Sequence, residues 1–366
     1  MSGSDASIDA GSMTVPSGLQ LADGNARRLL AVEPVRGFLD RLQIGTGGIS
    51  AARIGGGHSN VTLEIARDDI RVVLRRPPHG PLPPGAHDVV REARIQERLY
   101  RAGIPVPRVL AICEDESVNG APFYVMEYLD GSVLGASLPP GFASHRARGA
   151  AGEALVDHLV ALHNLDVRAA SLSDFGRETG YLERQVFRFG SIWRRTRTRA
   201  LPDVDRIAVW LAERIPSTPR VCFVHGDYRI GNVMFARDGT GRLQAILDWE
   251  MATVGDPLAD LGYLVAMWAE NSTADAKNPM LALSRVTMLA GFPSRAEILS
   301  RYEAMSGRSL GSVHWYEVFA MWKACVFLEA SYTRHRRGDT DDPFFATLES
   351  GVPALARSAI RRMRHP

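Results

Sequence analysis

Lysine is almost missing from this chain. Of its 43 basic residues only Lys277 and Lys323 are lysines, so a role that usually falls to lysine must be filled by arginine or be absent. Cysteine is scarce as well. Cys113, Cys222 and Cys325 are odd in number and widely spaced, with no C-x-x-C. That excludes a disulfide framework and a zinc knuckle and fits a reducing, cytoplasmic setting. No apolar run approaches the ~20 residues needed to cross a bilayer, so no membrane partner is expected. Residues 1–24, rich in Ser, Gly, Asp and Ala, show no basic-then-apolar leader pattern and read as a flexible tail. Neither sign of charge dominates: 43 basic against 41 acidic residues give a net +2, too little for a dedicated nucleic-acid binder. No internal repeat is visible, and oligomeric state is not legible.

What is present divides into two textures. A length of 366 residues calls for about two domains or lobes. Residues 25–42 read as a short helix pair or one helix broken at Pro34. Val61, Leu63 and Ile65, then Ile70, Val72 and Leu74, alternate with other residues around Arg67-Asp68-Asp69, a β-hairpin pattern. Five prolines between Arg76 and Gly85 forbid regular structure there. Asp88 can cap a helix over Val89–Ala102, ended by Gly103 and Pro105. Strands follow at Arg108–Cys113 and Pro122–Tyr128, with Asn119-Gly120 as turn chemistry, and Asp130-Gly131 marks a hinge. Beyond it the pattern is helical (Ala151–Leu165, Val204–Arg214, and most of Leu258 onward), interrupted by strands at 221–224, Val233–Phe235 and Leu243–Leu247. The expected fold class is α+β: a small sheet-rich N-lobe over 25–129 and a larger helical C-lobe over 130–366.

Several residues in this frame carry chemistry. Gly55, Gly56 and Gly57, followed by Ser59 and Asn60, let backbone N–H groups approach phosphate oxygens; alone, the stretch reads as a flexible connection. Val73 and Arg75 share the strand face opposite the core, an arrangement that suits an adenine and its phosphates, although an edge arginine in water reads equally well. Glu92 lies on the apolar stripe of its helix with Ile95 and Leu99, and a carboxylate there wants a partner such as Arg75. In His225-Gly226-Asp227-Tyr228-Arg229-Ile230-Gly231-Asn232, the carboxylate of Asp227 follows a strand and a glycine and can project into a cleft. Asn232, five residues on, and Asp248, sixteen further, provide two oxygen ligands suited to Mg²⁺, which completes its shell with phosphates and water. Asp227 would orient a substrate hydroxyl and accept its proton. His225 reads as a brace for the loop.

H-G-D-x-x-x-x-N followed by I-L-D-W-E resembles the aminoglycoside phosphotransferase/choline kinase group, with its protein-kinase-like, bilobal fold. GGGHSNVT, VLRRPP, PVPRVLAICED, GAPFYVMEYLDG and ILDWEMATVGDPLADLGYL are similar to the branch found as free-standing bacterial phosphotransferases and fused to acyl-CoA dehydrogenase-like proteins. The resemblance implies ATP and Mg²⁺ as cofactors and a small-molecule kinase activity. It casts Asp227 as catalytic base, Asn232 and Asp248 as metal ligands, Met126, Glu127 and Tyr128 as the adenine-contacting hinge, and Asp260 as a brace under the catalytic loop. Arg75 stands where the kinase strand lysine is expected. Arginine keeps the charge but differs in reach and geometry.

For the acceptor, residues 177–199 hold seven arginines against Glu178 and Glu183, interleaved with Tyr181, Phe187, Phe189 and Trp193. This would repel a polycation and suit an anionic acceptor, with Arg184, Arg188, Trp193 and Arg229 on the acceptor side; a solvated basic helix face reads equally well. The resulting expectation is phosphorylation of a hydroxyl on a small molecule, a hydroxyacyl-CoA or other anionic metabolite. The alternatives are an aminoglycoside phosphotransferase and a nucleotide-binding pseudokinase scaffold. The choice of ATP over GTP is not legible.

Overall fold

The computed structural model describes residues 29–55, 60–78, 87–135, 137–217, 220–272, 275, 278–338 and 343–364. The expected tail, the proline-rich loop from residue 79 to 86, and Gly56, Gly57 and Ser59 lie outside them. The chain divides into two units: residues up to Val90 together with Leu110–Tyr128, and Arg91–Val109 together with Leu129 onward.

The first unit is built on a five-stranded sheet. Its strands are β1 (Ser50–Arg53), β2 (Val61–Ala66), β3 (Arg71–Arg76), β4 (Val109–Cys113) and β5 (Phe123–Glu127), in the order β1-β2-β3-β5-β4. The hairpin foreseen around residues 67–69 is present: Ala66 faces Arg71, and the Arg67 N–H donates to the Ile70 carbonyl at 2.9 Å. Alternation decides which side chains are buried together. Leu63, Ile65, Val72, Leu74, Phe123 and Val125 form the core with helix α1 (Val32–Arg41), while Val73 pairs with Met126 and stands outside that cluster. Ile70, expected on the core face, is exposed because the strand begins only at Arg71. Pro34 does not break α1. It sits in the first turn, where an N–H has no helical partner to lose. Asn119-Gly120 closes a one-turn helix, α3 (Glu116–Asn119), with Gly120 left-handed at φ 70°. Arg76 is buried and donates to the carbonyls of Leu29 (2.7 Å) and Asn119 (3.1 Å), tying the chain entry to the α3 turn.

Helix α2 (Val89–Arg101) was read as part of the N-lobe, but from Arg91 it sorts with the second unit. Ile95, Leu99, Ile104 and Val106 belong to that unit's core. Gln96 donates to the Pro107 carbonyl at 2.7 Å, and Pro105 accepts from the Ile246 N–H at 2.8 Å. The stripe that defines the helix is satisfied by apolar partners a sequence pattern cannot name.

The second unit contains helices α4 (His145–His163), α5 (Tyr181–Thr196), α6 (Pro202–Glu213), α7 (Pro257–Ala266), α8 (Arg295–Ser306), α9 (Val313–Arg336) and α10 (Leu348–Arg364). Helix α4 starts six residues before the expected Ala151, because the Ser144 hydroxyl accepts from Ala147 N–H and caps it. Gly131, read as a hinge, is instead in a strand, β6 (Gly131–Val133). It pairs with β8 (Val233–Ala236), which pairs in turn with β9 (Leu243–Ile246). A Cβ on Gly131 would meet the Met234 side chain at 2.4 Å. A separate two-stranded pair joins β7 (Cys222–Val224) to β10 (Thr253–Gly255), a strand the sequence reading did not anticipate.

One buried ion pair ties the end of α5 to the C-terminal helices. Arg199 grips the fully buried Glu329 on α9 through Nε (2.9 Å) and Nη2 (2.8 Å) and also donates to the Leu348 carbonyl. Arg199→Ala should cost about 3 kcal/mol in urea unfolding, because it strands a buried carboxylate. Arg197→Ala, which breaks a half-exposed pair with Asp205, should change stability by about 0.5 kcal/mol or less.

Candidate active site

The catalytic-loop candidate follows β7. At Gly226 the chain turns with φ 85°, and a Cβ there would lie 2.7 Å from the Met251 carbonyl oxygen; both facts require glycine. The pairing of β7 with β10 brings the following helix, α7, against the strand. From its first turn the buried Asp260 reaches back. One oxygen accepts from the His225 N–H at 2.6 Å and the other from the Gly226 N–H at 2.7 Å. This is the brace the family resemblance implied.

The buried histidines support that brace. Burial lowers the pKa of His163, so its ring is neutral at ordinary pH. Tyr302 Oη lies 2.7 Å from Nδ1, and Nε2 lies 3.3 Å from Asp260. The consistent assignment has Tyr302 donating to Nδ1 and Nε2–H donating to the carboxylate. Burial by itself would raise the Asp260 carboxyl; the hydrogen bonds from His163 and from the loop outweigh it and hold the group below its ordinary value. His225 is likewise buried. Its Nδ1 accepts from the Asp227 N–H at 3.2 Å, so Nε2 carries the proton and donates to the Leu247 carbonyl at 2.8 Å. With both nitrogens committed to backbone, His225 spans the catalytic loop and the end of β9.

Asp227 is half-buried. Asn232 Nδ2 donates both to its carboxylate (2.7 Å) and to its backbone carbonyl (2.9 Å). Both amide hydrogens are thereby used, which leaves Asn232 Oδ1 as the acceptor available to a cation. Asn232 immediately precedes β8 and Asp248 closely follows β9. Val233 faces Ile246, and the Leu247 N–H donates to the Asn232 carbonyl at 2.8 Å. The two expected metal ligands therefore stand at the same end of one hairpin. Asp248 is left-handed at φ 68°, a conformation aspartate tolerates better than most residues. Among the described residues no group of three or more His, Cys, Asp or Glu forms a metal site. One amide oxygen and one carboxylate fit a hard cation that completes its shell with phosphate and water. Glu92, 1% exposed, accepts from the Trp249 N–H at 3.3 Å and so supports the residue next to Asp248.

The nucleotide-side candidates lie in the first unit. Gly55 is left-handed at φ 75° with open space where a Cβ would be. Asn60 is buried against the His87 ring at 3.0 Å, and Arg75, half-buried, donates to the Thr62 hydroxyl at 3.2 Å. Met126 and Glu127 end β5, and Tyr128 lies under the Arg71 guanidinium, 3.9 Å from ring centre to Cζ.

The acceptor-side expectation changes most. Trp193, 2% exposed, is a core residue whose indole donates to Asp205 at 2.8 Å. With Tyr181 and Phe189 it forms the buried stripe of α5, so the aromatic interleaving reflects helical periodicity. Arg184 is turned back onto the carbonyls of Thr179 and Arg177, while Arg197 and Arg199 serve the pairs described above. Arg229 lies beside the catalytic-loop candidate, with Nε 3.8 Å from Asp227. Two residues absent from the sequence-based candidates also approach this loop. The hydroxyl of Tyr263 is pushed well above its ordinary pKa, first by burial and then by neighbouring Asp227. The Lys323 ammonium lies 3.5 Å from the Gly226 carbonyl. The one signal for Lys323 was the rarity of lysine itself.

Asp260→Asn should cut turnover at least about 100-fold and cost about 3 kcal/mol, because an amide can accept from only one of the two loop N–H groups. The folded carboxyl is depressed, so its contribution is present above the ordinary carboxylate range and is lost as pH falls through it. Unfolding followed from pH 7 to pH 3 should show a smaller acid loss in the variant than in the wild type.

Residues 50–297 match the phosphotransferase enzyme family. Acyl-CoA dehydrogenase family member 10 of Mus musculus is 35% identical over 297 residues, 80% of this chain and 27% of that protein, so the chain spans about a quarter of this relative's length. A Ralstonia eutropha protein solved as a candidate aminoglycoside phosphotransferase superposes with TM-score 0.75 at 28% identity, covering 91% of this chain and 98% of the other. Spectinomycin phosphotransferase, solved with ADP and spectinomycin, shares the fold at TM-score 0.59 and 12% identity, over 91% and 99% of the two chains. With the family match extending over well over half of its length, and with the α+β, protein-kinase-like architecture of such neighbours, the chain belongs to the phosphotransferase enzyme family.

Proposed function

We propose that the protein transfers the γ-phosphoryl group of ATP, with Mg²⁺, to a hydroxyl of a small anionic acceptor, a hydroxyacyl-CoA or related organic acid. The observation that carries the acceptor class is the charge around Asp227. Arg229 lies 3.8 Å away, and Lys323 sits in the joint field of Asp227 and of Arg188. A polycationic aminoglycoside would be repelled by this positive field at its reacting end, whereas an acceptor bearing a carboxylate or phosphate is attracted to it. The mouse relative's name, a member of the acyl-CoA dehydrogenase family, points the same way, and the ADP bound to spectinomycin phosphotransferase supports a nucleotide donor.

In this reading Asp227 orients the acceptor hydroxyl toward the γ-phosphorus. The new P–O bond forms as the bond to the β-phosphate oxygen breaks, ADP leaves, and the hydroxyl proton passes to the Asp227 carboxylate and then to solvent. Asn232, held by its two bonds to Asp227, couples the base to the metal side of the loop. It would hold Mg²⁺ with Asp248, and the ion when bound neutralises phosphate charge. Arg75 takes the phosphate-binding role of the usual lysine, and Gly55, Asn60, Val73 and Met126–Tyr128 contribute to the nucleotide side. Among the described residues no helix is long and apolar enough to cross a membrane.

Two measurements check this reading. ADP release should be stimulated by hydroxyacyl-CoAs and left unchanged by kanamycin-like polycations; the reverse pattern would overturn the acceptor class. Asp227→Asn should lower acceptor-dependent turnover about 100-fold or more while ATP binding persists, and turnover at the wild-type rate would remove Asp227 from its role.

A further inference from the structure

Lys323 is an unusual choice for its position. The chain uses arginine almost everywhere a cation is needed, yet it keeps one of its two lysines in the middle of α9, with the residue only 7% exposed. The ammonium is ringed by aromatic faces, with Nζ 5.2 Å from the Phe189 centroid, 5.6 Å from Phe319 and 5.9 Å from Tyr263. Among the described residues its hydrogen bond is a long one, 3.5 Å to the Gly226 carbonyl. Burial lowers its pKa, Asp227 and Asp260 pull the other way, and Arg188 adds to the lowering. A cation buried with a single weak acceptor is a poor means of stabilising a fold, although the three rings recover part of the loss. An apolar side chain of similar volume would fill the same cage without desolvating a charge.

What the ammonium does reach is the catalytic loop. Gly226 is the residue whose N–H Asp260 grips from the other side and whose left-handed turn aims Asp227. Tyr263, one wall of the cage, is also a neighbour of Asp227. We propose that Lys323 is a positioning residue for phosphotransfer: held by Phe189, Tyr263 and Phe319, it fixes the Gly226–Asp227 peptide and places its charge beside the Asp227 carboxylate. The size and shape of the group matter. An ammonium fits among three rings and can turn its N–H bonds toward a carbonyl, whereas a planar guanidinium is larger and would displace a wall. The charged groups whose fields act on Lys323 are Asp227 from the loop, Asp260 from α7 and Arg188 from α5. The inference rests on the phosphotransfer reading for its kinetic consequence and on the geometry alone for its structural one.

The test uses the full chain and has two arms. In the first, ¹³C-lysine labelling gives two ε-methylene signals, because the chain has two lysines; Lys277→Arg identifies the one belonging to Lys323. That signal should be displaced by the surrounding rings and should move again in Asp227→Asn. In the second, Lys323→Met should retain the wild-type melting temperature or exceed it, leave the KM for Mg·ATP unchanged, and lower the rate of ADP release, with water as acceptor, by about 10- to 100-fold. A Lys323 signal indifferent to Asp227→Asn overturns the proposal. So does a Lys323→Met protein that releases ADP at the wild-type rate, or one that loses stability in proportion to its activity. If the wild type releases no ADP with water or with any hydroxyacyl-CoA, the phosphotransfer reading fails, and the NMR arm still decides whether Lys323 and Asp227 are coupled.

Discussion

Everything chemical in the second unit hangs on the grip of one buried carboxylate. Asp260 takes the N–H groups of His225 and Gly226, one on each oxygen. It can do so because β10 pairs with β7 and brings α7 alongside the strand that ends in the loop. The grip is charge-assisted and shielded from water, which makes it strong and makes any single-acceptor substitute costly. His163 and Tyr302 complete the shell on the far side, on helices α4 and α8, so four separated segments converge to hold two peptide groups. Rigidity of this kind is what a group aimed at a reacting atom needs, since small displacements cost rate.

From that anchor the order of the site follows outward. His225 uses both ring nitrogens to join the loop to the end of β9. Asn232 uses both amide hydrogens to hold Asp227 and thereby presents its oxygen for a cation. Glu92 steadies the residue after Asp248. Each of these polar side chains has a defined partner, and in the proposed reading Asn232 Oδ1 and the carboxylates of Asp227 and Asp248 are the oxygens that face ligands. In the proposed reading, the cations Arg229, Lys323 and Arg188 bias the site toward an anionic acceptor. In the proposed reading, the arginine at position 75 on β3 keeps the charge that a phosphate needs while altering its geometry.

The sequence by itself determined a good deal. The alternation in β2 and β3, the turn at residues 67–69, the strand–loop–hairpin order around residues 221–249, and the candidates Asp227, Asn232 and Asp248 were legible from local periodicity or short spacing, whereas Asp260 was reached only through the family resemblance. His225 could be read as a brace for the same reason: it stands between a strand and a glycine, with too few histidines nearby for a metal site. Tertiary structure decided the rest. Short spacing cannot say that Arg91–Val109 joins the helical unit, since an amphipathic stripe records that a face is buried and not which core buries it. It could not tell the aromatic interleaving of α5 from an acceptor surface, because a core stripe and a binding stripe have the same period; burial of Trp193 and the commitments of Arg184, Arg197 and Arg199 separate them. Nor could it find Tyr263 and Lys323, which approach Asp227 from helices 36 and 96 residues further along the chain. Their part in the site exists only once α7 and α9 are packed against the loop.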